Sequence, residues 1–566
     1  MFNRRHKKKY TIDADEVFLD SRNLPFFNKQ QFEGKIEKPL SKKTIYVLMF
    51  FILLVAVLFI IRLFTVQVKN GKTYFQASEE NALYKELVFA ERGIIYDRQS
   101  RPLAWNEKNP LYDQFLSRVY NEESGLSHIL GYVKYPKKDQ KGYFWRTEYV
   151  GMDGIEKQFN EKLSGKNGAR LIETDVRGEH ISANMYELAV PGENVVLSLD
   201  KEVQTMLYES IRRVAIDSGY VGASGALVDI TTGEIISMAS YPEYNSNIMT
   251  ESKNEEIISG YFSSFRYPLL NRAVSGIYAP GSIVKPFVGI GALTEGVITK
   301  NTKIASIGSI TIPNVYNPSL SSVFRDLRPN NGIVNIQEAL SVSSNIFFYN
   351  VGGGYQSQKG IGIENIGKYW KLFGLSQKTG IELPGELEGL IPSIEWKKNT
   401  FPNDPVWRLG DTYNTAIGQY GVQVTPVQMV RAVAAIALDG KLIPLTIIKK
   451  ESPLEIEKMQ TIDIPQEHFS TIKSGMRLAV TSSLGTAKGL VNLQTNFAAK
   501  TGTAQVGANN NFINTWIIGF FPYEKPRYAF VILMDKGTST SAAGAPTAAL
   551  YFFQRFENSE FYKNGQ

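Results

Sequence analysis

Gly225-Ala-Leu-Val-Asp-Ile-Thr-Thr-Gly-Glu-Ile-Ile-Ser-Met-Ala239 holds two apolar runs, Gly225 to Ile230 and Glu234 to Ala239, joined across Thr231-Thr232-Gly233. Short apolar runs meeting at a glycine-bearing turn are the pattern of a β-hairpin. Far along the chain, Asn514-Thr-Trp-Ile-Ile-Gly-Phe-Phe521 and Arg527-Tyr-Ala-Phe-Val-Ile-Leu-Met534 repeat the pattern across a proline-bounded turn. The stretch between reads as helical. Thr425-Pro426-Val427-Gln428 sets a capping-box pair around a proline at the first helical position, and Gly440 closes that segment after Asp439. Strands at both ends of a helical middle predict an α+β domain, one antiparallel sheet with inserted helices.

At 566 residues the chain exceeds what one core usually supports, so two or more domains are expected. A hydrophobic content of 43% with 12% aromatics belongs to a folded protein. The net charge of +7 is partly local, because residues 1 to 43 hold eleven Lys/Arg against six Asp/Glu. No basic groove is implied, and no nucleic-acid partner is expected. With no cysteine, a Cys nucleophile, a disulfide framework and a thiolate metal site are all excluded.

Ile45 to Ile61 is seventeen residues without a charge, and apolar character resumes after Arg62 through Val68. That length can span a bilayer. A cleaved signal peptide fits less well, since the charged stretch ahead of it is over forty residues long and Arg62-Leu-Phe-Thr-Val-Gln-Val68 offers no small-residue cleavage site. Lys42, Lys43 and Arg4-Arg5-His6-Lys7-Lys8-Lys9 precede the span, which places the N-terminus inside and residues 69 to 566 outside. The expected organisation is a cytoplasmic leader (1–44), a transmembrane anchor (45–68), a pedestal without catalytic residues (69–200) and a catalytic domain (201–566).

The four histidines (His6, His128, His180, His468) accompany no Ser or Asp/Glu motif that would make a Ser-His-Asp triad or a zinc site, and neither metal nor cofactor is expected. An activated serine would then need a lysine base. Ser-x-x-Lys occurs at Ser198/Lys201, Ser282/Lys285 and Ser470/Lys473, and context separates the three. Ala279-Pro280-Gly281-Ser282 reads as a tight turn launching the apolar helix Ile283-Val-Lys-Pro-Phe-Val-Gly-Ile-Gly-Ala-Leu293, which sets Ser282 and Lys285 on one face, one turn apart. The plainer alternative is an N-cap serine beside a solvated lysine. Ser343-Ser344-Asn345 and then Lys500-Thr501-Gly502-Thr503 follow in order. Lys378-Thr379-Gly380 is a second Lys-Thr-Gly, but it runs into Pro384-Gly385, which would interrupt a central strand.

The ordered trio resembles the signature motifs of penicillin-binding proteins and serine β-lactamases. The resemblance covers about residues 40 to 540 and is to the class B, monofunctional penicillin-binding proteins. It is carried further by Arg92-Gly-x-Ile-x-Asp97-Arg98, Gly154-Ile-Glu156, Asp229-x-x-Thr-Gly-Glu234, and Ala416-Ile-Gly-Gln419 followed by Val424-Thr-Pro426. The leader and span look most like the elongation branch, penicillin-binding protein 2. Two departures are a short stretch from Asn109 to Val150, where that branch has its head region, and Trp516-Ile517 where the family often has Trp-Phe.

The resemblance implies a D,D-transpeptidase at the bacterial plasma membrane, with cell-wall stem peptides as substrates and β-lactams as inhibitors. It casts Ser282 as nucleophile, Lys285 as base, Ser343 as proton relay and Asn345 as a clamp on substrate and Lys285. Lys500, Thr501, Gly502 and Thr503 would line the substrate site, with Ser282 and Thr503 N–H groups as an oxyanion hole. A lysine at its reference pKa is neutral only about 0.04% of the time at pH 7, so burial, helped by Lys500, must lower that of Lys285. No glycosyltransferase domain fits ahead of the transpeptidase, which implies a SEDS-family glycosyltransferase as partner. The alternatives are a D,D-carboxypeptidase or β-lactamase-type hydrolase, for which a long pedestal is superfluous, and a non-catalytic β-lactam sensor or scaffold, for which intact Ser282, Lys285 and Lys500 are superfluous.

Overall fold

The computed structural model describes residues 41–564 except 76–82, 109–113, 141, 175–179, 315–316 and, between 451 and 458, all but 452 and 455. The expected leader therefore lies outside the described residues up to residue 40. The chain divides into two compact units, of which the second comprises Lys85–Arg170 and Asn184–Gln566. In the first, helix α1 (Lys42–Phe64) continues through a π turn, Thr65–Lys69. Ser41 caps it by accepting the Thr44 N–H, and no residue of α1 is buried. Its 23 residues, rising about 1.5 Å each, match a hydrocarbon core about 30 Å thick. Length and composition make it a candidate membrane span.

The second unit begins with a small sheet of β1 (Ile95–Tyr96), β2 (Pro102–Glu107), β3 (Ser117–Tyr120) and β4 (Val195–Val196), in the order β4-β1-β2-β3. Beside it lies a buried charge cluster. Glu156 accepts from Arg92 Nε at 2.6 Å, from Arg118 Nε at 2.7 Å and from the Tyr120 hydroxyl at 3.2 Å. Burial alone would raise this carboxyl's pKa, but the two guanidiniums outweigh burial and hold it below its ordinary value. Asp97 accepts from Arg101 Nε at 2.7 Å and from the Lys201 N–H at 3.4 Å, at the start of α2 (Lys201–Asp217). Arg98 donates to the Ser198 carbonyl at 3.1 Å and pairs with Glu234 at 3.4 Å. The Arg98–Glu234 pair, 136 residues apart in sequence, thus joins this sheet to the hairpin that opens the next.

That hairpin is β5 (Gly222–Asp229) and β6 (Glu234–Tyr241), followed by α3 (Lys285–Thr294). An insert of short strands, β7 (Ile304–Ser306), β8 (Ser309–Ile312), β9 (Ser322–Arg325) and β10 (Gly332–Val334), leads to α4 (Ile336–Val342) and α5 (Asn345–Gly353). After α6 (Pro426–Ala437) and α7 (Gln466–Thr481) come β11 (Ala498–Val506), β12 (Phe512–Phe521), β13 (Tyr528–Thr538) and α8 (Ala545–Phe556). The five long strands form one sheet in the order β6-β5-β13-β12-β11, every neighbouring pair antiparallel. This is the expected α+β sheet, closed by strands from both ends of the region.

Both faces of the sheet are covered. Phe530, Ile532 and Met534 pack with Leu207 of α2 and Phe552 of α8, while Val531, Leu533 and Trp516 pack with Val427 and Val430 of α6. Double-sided burial is why these strands read as continuous apolar runs rather than alternating ones. Helix α6 starts where its capping box places it, with Thr425 Oγ1 accepting the Gln428 N–H at 3.2 Å and Gln428 Oε1 accepting the Thr425 N–H at 3.1 Å.

Because, among the described residues, Glu156 is the only counter-charge bonded to both Arg92 and Arg118, Glu156→Gln leaves two buried cations short of charge. The expected loss is about 3 to 5 kcal/mol, measured as a fall in the urea midpoint at neutral pH. A loss below about 1 kcal/mol would show that the cluster tolerates the missing charge.

Candidate active site

Ser282 sits in a 3-10 turn, Gly281–Val284, that feeds directly into α3. In such a turn residues i and i+3 eclipse, so Ser282 and Lys285 share a face. Glycines let this turn press against β11, the edge strand of the sheet. Gly281 has φ +55°, and a Cβ there would lie 2.4 Å from the Thr503 carbonyl oxygen. A Cβ at Gly502 would lie 2.8 Å from the Pro280 carbonyl oxygen and 2.9 Å from Ile283 Cγ2. Real Cβ atoms do not approach that closely, so the glycine of each motif is required by the other motif's backbone. Trp516 Nε1 adds a bond to the Ala279 carbonyl at 2.9 Å.

The Lys285 side chain is fully buried. Its Nζ donates to the Ser343 carbonyl at 2.8 Å and to Asn345 Oδ1 at 2.7 Å, with a longer contact of 3.4 Å to Ser343 Oγ. Sequence spacing put this amine within reach of the Ser282 hydroxyl; the structure engages it with the second motif instead. Ser343 ends α4 in the left-handed region, φ 60° and ψ 40°, a conformation costing a non-glycine residue about 1 kcal/mol or more. That turn aims its carbonyl and hydroxyl at the amines. Lys500 Nζ donates to the same Ser343 Oγ at 2.8 Å and to the Thr501 carbonyl at 2.7 Å. One serine hydroxyl therefore lies between two lysine amines.

Both amines are shifted. Burial pulls the Lys285 pKa down to about 7, partly opposed by the Asp326 carboxylate. Burial, and then the charge of Lys285, push Lys500 well below its ordinary value. At pH 7 Lys285 is thus neutral about half the time, a gain of roughly a thousandfold over an ordinary lysine. Two ammonium groups cannot comfortably share this space, so protonating one favours the free-base form of the other.

The look-alike motifs have other employment. The buried Ser198 hydroxyl donates to the Ile235 carbonyl. Ser470 bonds back to Gln466 within α7, and Lys473 pairs with Asp439. Lys378 is exposed on a loop, where Thr379 donates to Glu386, whereas Lys500 is fully buried. Along β11, Gly502 is buried, Thr501 half-buried and Thr503 exposed. Among the described residues no group of His, Asp and Glu could hold a metal ion. Asp326, which bonds the second motif, is the residue that sequence reading missed. Nothing in Arg325-Asp-Leu327 marks it out, because its partners are distant in sequence.

Lys500→Ala is expected to slow acylation by a fluorescent penicillin at least about 100-fold, the scale of losing one preorganised contact. Lys378→Ala, with equal melting, should change it less than about threefold. A dead, folded Lys378→Ala would move the third motif elsewhere.

The Penicillin binding protein transpeptidase domain model matches residues 223–553, and the Penicillin-binding Protein dimerisation domain model matches residues 110–197. The peptidoglycan D,D-transpeptidase MrdA of Haemophilus influenzae is 28% identical over 485 residues, covering 79% of this chain and 71% of its own length. The penicillin-binding protein PBP2 of Helicobacter pylori, solved in complex with MreC, superposes with a TM-score of 0.69 at 26% identity, covering 85% of this chain and all of that one. A peptidoglycan synthase complex, solved to explain the coordination of polymerization and crosslinking, contains a chain matching with a TM-score of 0.68 at 25% identity, covering 90% of this chain and 97% of that one. With the transpeptidase model spanning more than half of its length, the chain belongs to the penicillin-binding protein transpeptidases, as a class B member.

Proposed function

We propose that the chain is a peptidoglycan D,D-transpeptidase whose acylated nucleophile is Ser282. The observation that carries the assignment of roles is the hydrogen-bonded series from Lys285 Nζ through Ser343 to Lys500 Nζ, buried behind the Ser282 turn. Neutral Lys285 takes the Ser282 proton as Oγ attacks the carbonyl between the two D-alanines of a stem peptide. The tetrahedral oxyanion is met by the Ser282 and Thr503 N–H groups, each donor worth roughly 100- to 1000-fold. Collapse breaks the C–N bond, and the departing D-alanine amine receives its proton through Ser343. An amine of a second stem peptide then attacks the ester, gives up a proton to the same base and releases Ser282, leaving the cross-link. Lys500 with the Thr501 and Thr503 hydroxyls suits the terminal carboxylate of the donor. Asn345 holds Lys285 and offers its amide to the substrate. A β-lactam acylates the same serine, but its opened ring stays tethered.

Helix α1 is a candidate anchor, and we place its N-terminal side in the cytoplasm on the strength of the lysines and arginines ahead of it. Residues 69–200 act as the pedestal that docks a SEDS-family glycosyltransferase, supported by the synthase complex among the similar structures. Such a partner should co-purify in mild detergent from Ser282→Ala as well as from the parent, and a catalytic region that retains it without span and pedestal would contradict the docking.

A membrane-impermeant fluorescent penicillin added to intact spheroplasts tests chemistry and orientation together. Peptide mapping should place the adduct on Ser282, and Ser282→Ala should abolish it. An adduct on Ser198 or Ser470 would refute the nucleophile, and labelling only after lysis would reverse the orientation.

A further inference from the structure

The hydrogen bonds around Ser343 continue into the β7–β10 insert, where they converge on one carboxylate. Asp326 Oδ2 accepts from Ser306 Oγ at 2.6 Å, Ser344 Oγ at 2.9 Å and Asn331 Nδ2 at 3.0 Å. Its Oδ1 accepts from the Asn345 N–H at 2.8 Å and from the neighbouring Leu327 N–H at 3.0 Å. Two of these donors, the Ser344 hydroxyl and the Asn345 amide, belong to the Ser343-Ser344-Asn345 motif itself. The Ser344 hydroxyl also accepts the Phe347 N–H at 3.1 Å, which fixes the first turn of α5. Beside it, Asn345 Nδ2 donates to the Arg325 carbonyl at 3.3 Å, so Asn345 is held from both its backbone and its side chain.

This grip explains how Ser343 keeps a left-handed backbone that local sterics disfavour. Released, the turn would relax and withdraw the Ser343 carbonyl and Asn345 Oδ1 from Lys285. We propose that Asp326 is a positioning residue for acyl transfer, holding the Ser343–Asn345 turn in the geometry that seats Lys285. This rests on the assignment of Ser282 and Lys285 made above.

Asp326 also acts through its charge. Lys285 faces two charged groups, Lys500 from β11 and Asp326 from the insert, and the anion favours the protonated amine. Around Asp326 itself stand Arg325 in the same strand segment and Tyr349 of α5, whose hydroxyl the carboxylate helps push above its ordinary range after burial. Acylation needs neutral Lys285, so its rate rises with pH through the pKa of that amine. Removing the negative charge lowers this pKa and moves the rising limb toward acid. A carboxylate that merely braced the insert would leave the limb in place.

The test is Asp326→Asn in the full-length chain, with acylation by a fluorescent penicillin followed across the neutral pH range. Expected are a rate about 10- to 100-fold lower on the alkaline plateau and a limb displaced toward acid by at least about half a unit. A folded variant with an unmoved limb overturns the proposal, whatever its rate. If Asp326→Asn does not fold, Ser344→Ala keeps the carboxylate but cuts its hold on the turn. Its plateau should then fall about tenfold, and an unchanged plateau overturns the proposal. Mapping the adduct in the parent separates this outcome from failure of the Ser282 assignment.

Discussion

Two lysine amines buried around one serine hydroxyl set the terms for the rest of the catalytic region. Each amine taken out of water is costly as an ammonium ion, and the cost appears as the low pKa of both Lys285 and Lys500. That penalty is what turns a lysine into a base at neutral pH. It requires a shell that supplies acceptors while excluding water. The Ser343 carbonyl and hydroxyl, Asn345 Oδ1 and the Thr501 carbonyl are those acceptors, two of them backbone carbonyls.

The surrounding architecture follows from holding three chain segments against one another. Gly281 and Gly502 exist because the serine turn and the edge strand touch at backbone distance. Ser343 holds its left-handed conformation between the end of α4 at Val342 and Ser344, whose hydroxyl caps α5 by accepting the Phe347 N–H. Antiparallel pairing holds β11 along β12, and β12 and β13 are buried on both faces. Further from the chemistry, Asp97 ties the small N-terminal sheet to the start of α2, and Arg98 ties it to Glu234 of the first hairpin.

Much of this was legible in sequence, for identifiable reasons. Strands covered on both sides leave long apolar runs, and the α6 capping box is local, so sheet and helix start could be read directly. Ser282, Lys285, Ser343, Asn345 and Lys500 could be singled out because short motifs carry them, and the structure brings their segments together. What could not be read depends on contacts between residues distant in sequence. The bond from the Lys285 amine to the Ser343 carbonyl, 58 residues away, is one such case, whereas the family resemblance had already named Asn345 as a clamp on that amine. Asp326 is another, because a lone acidic residue in Phe324-Arg-Asp-Leu-Arg328 carries no periodicity, spacing or motif. Its bonds to Ser344 and Asn345 form only when the insert folds back onto α5.

The central claim is that burial makes Lys285 a base at neutral pH, and direct titration of its amine by NMR, on lysine-labelled protein with the resonance assigned through Lys285→Arg, tests it. The expected midpoint is about 7. A midpoint near the ordinary lysine value of 10.5 would contradict it, and Ser282 would need another base.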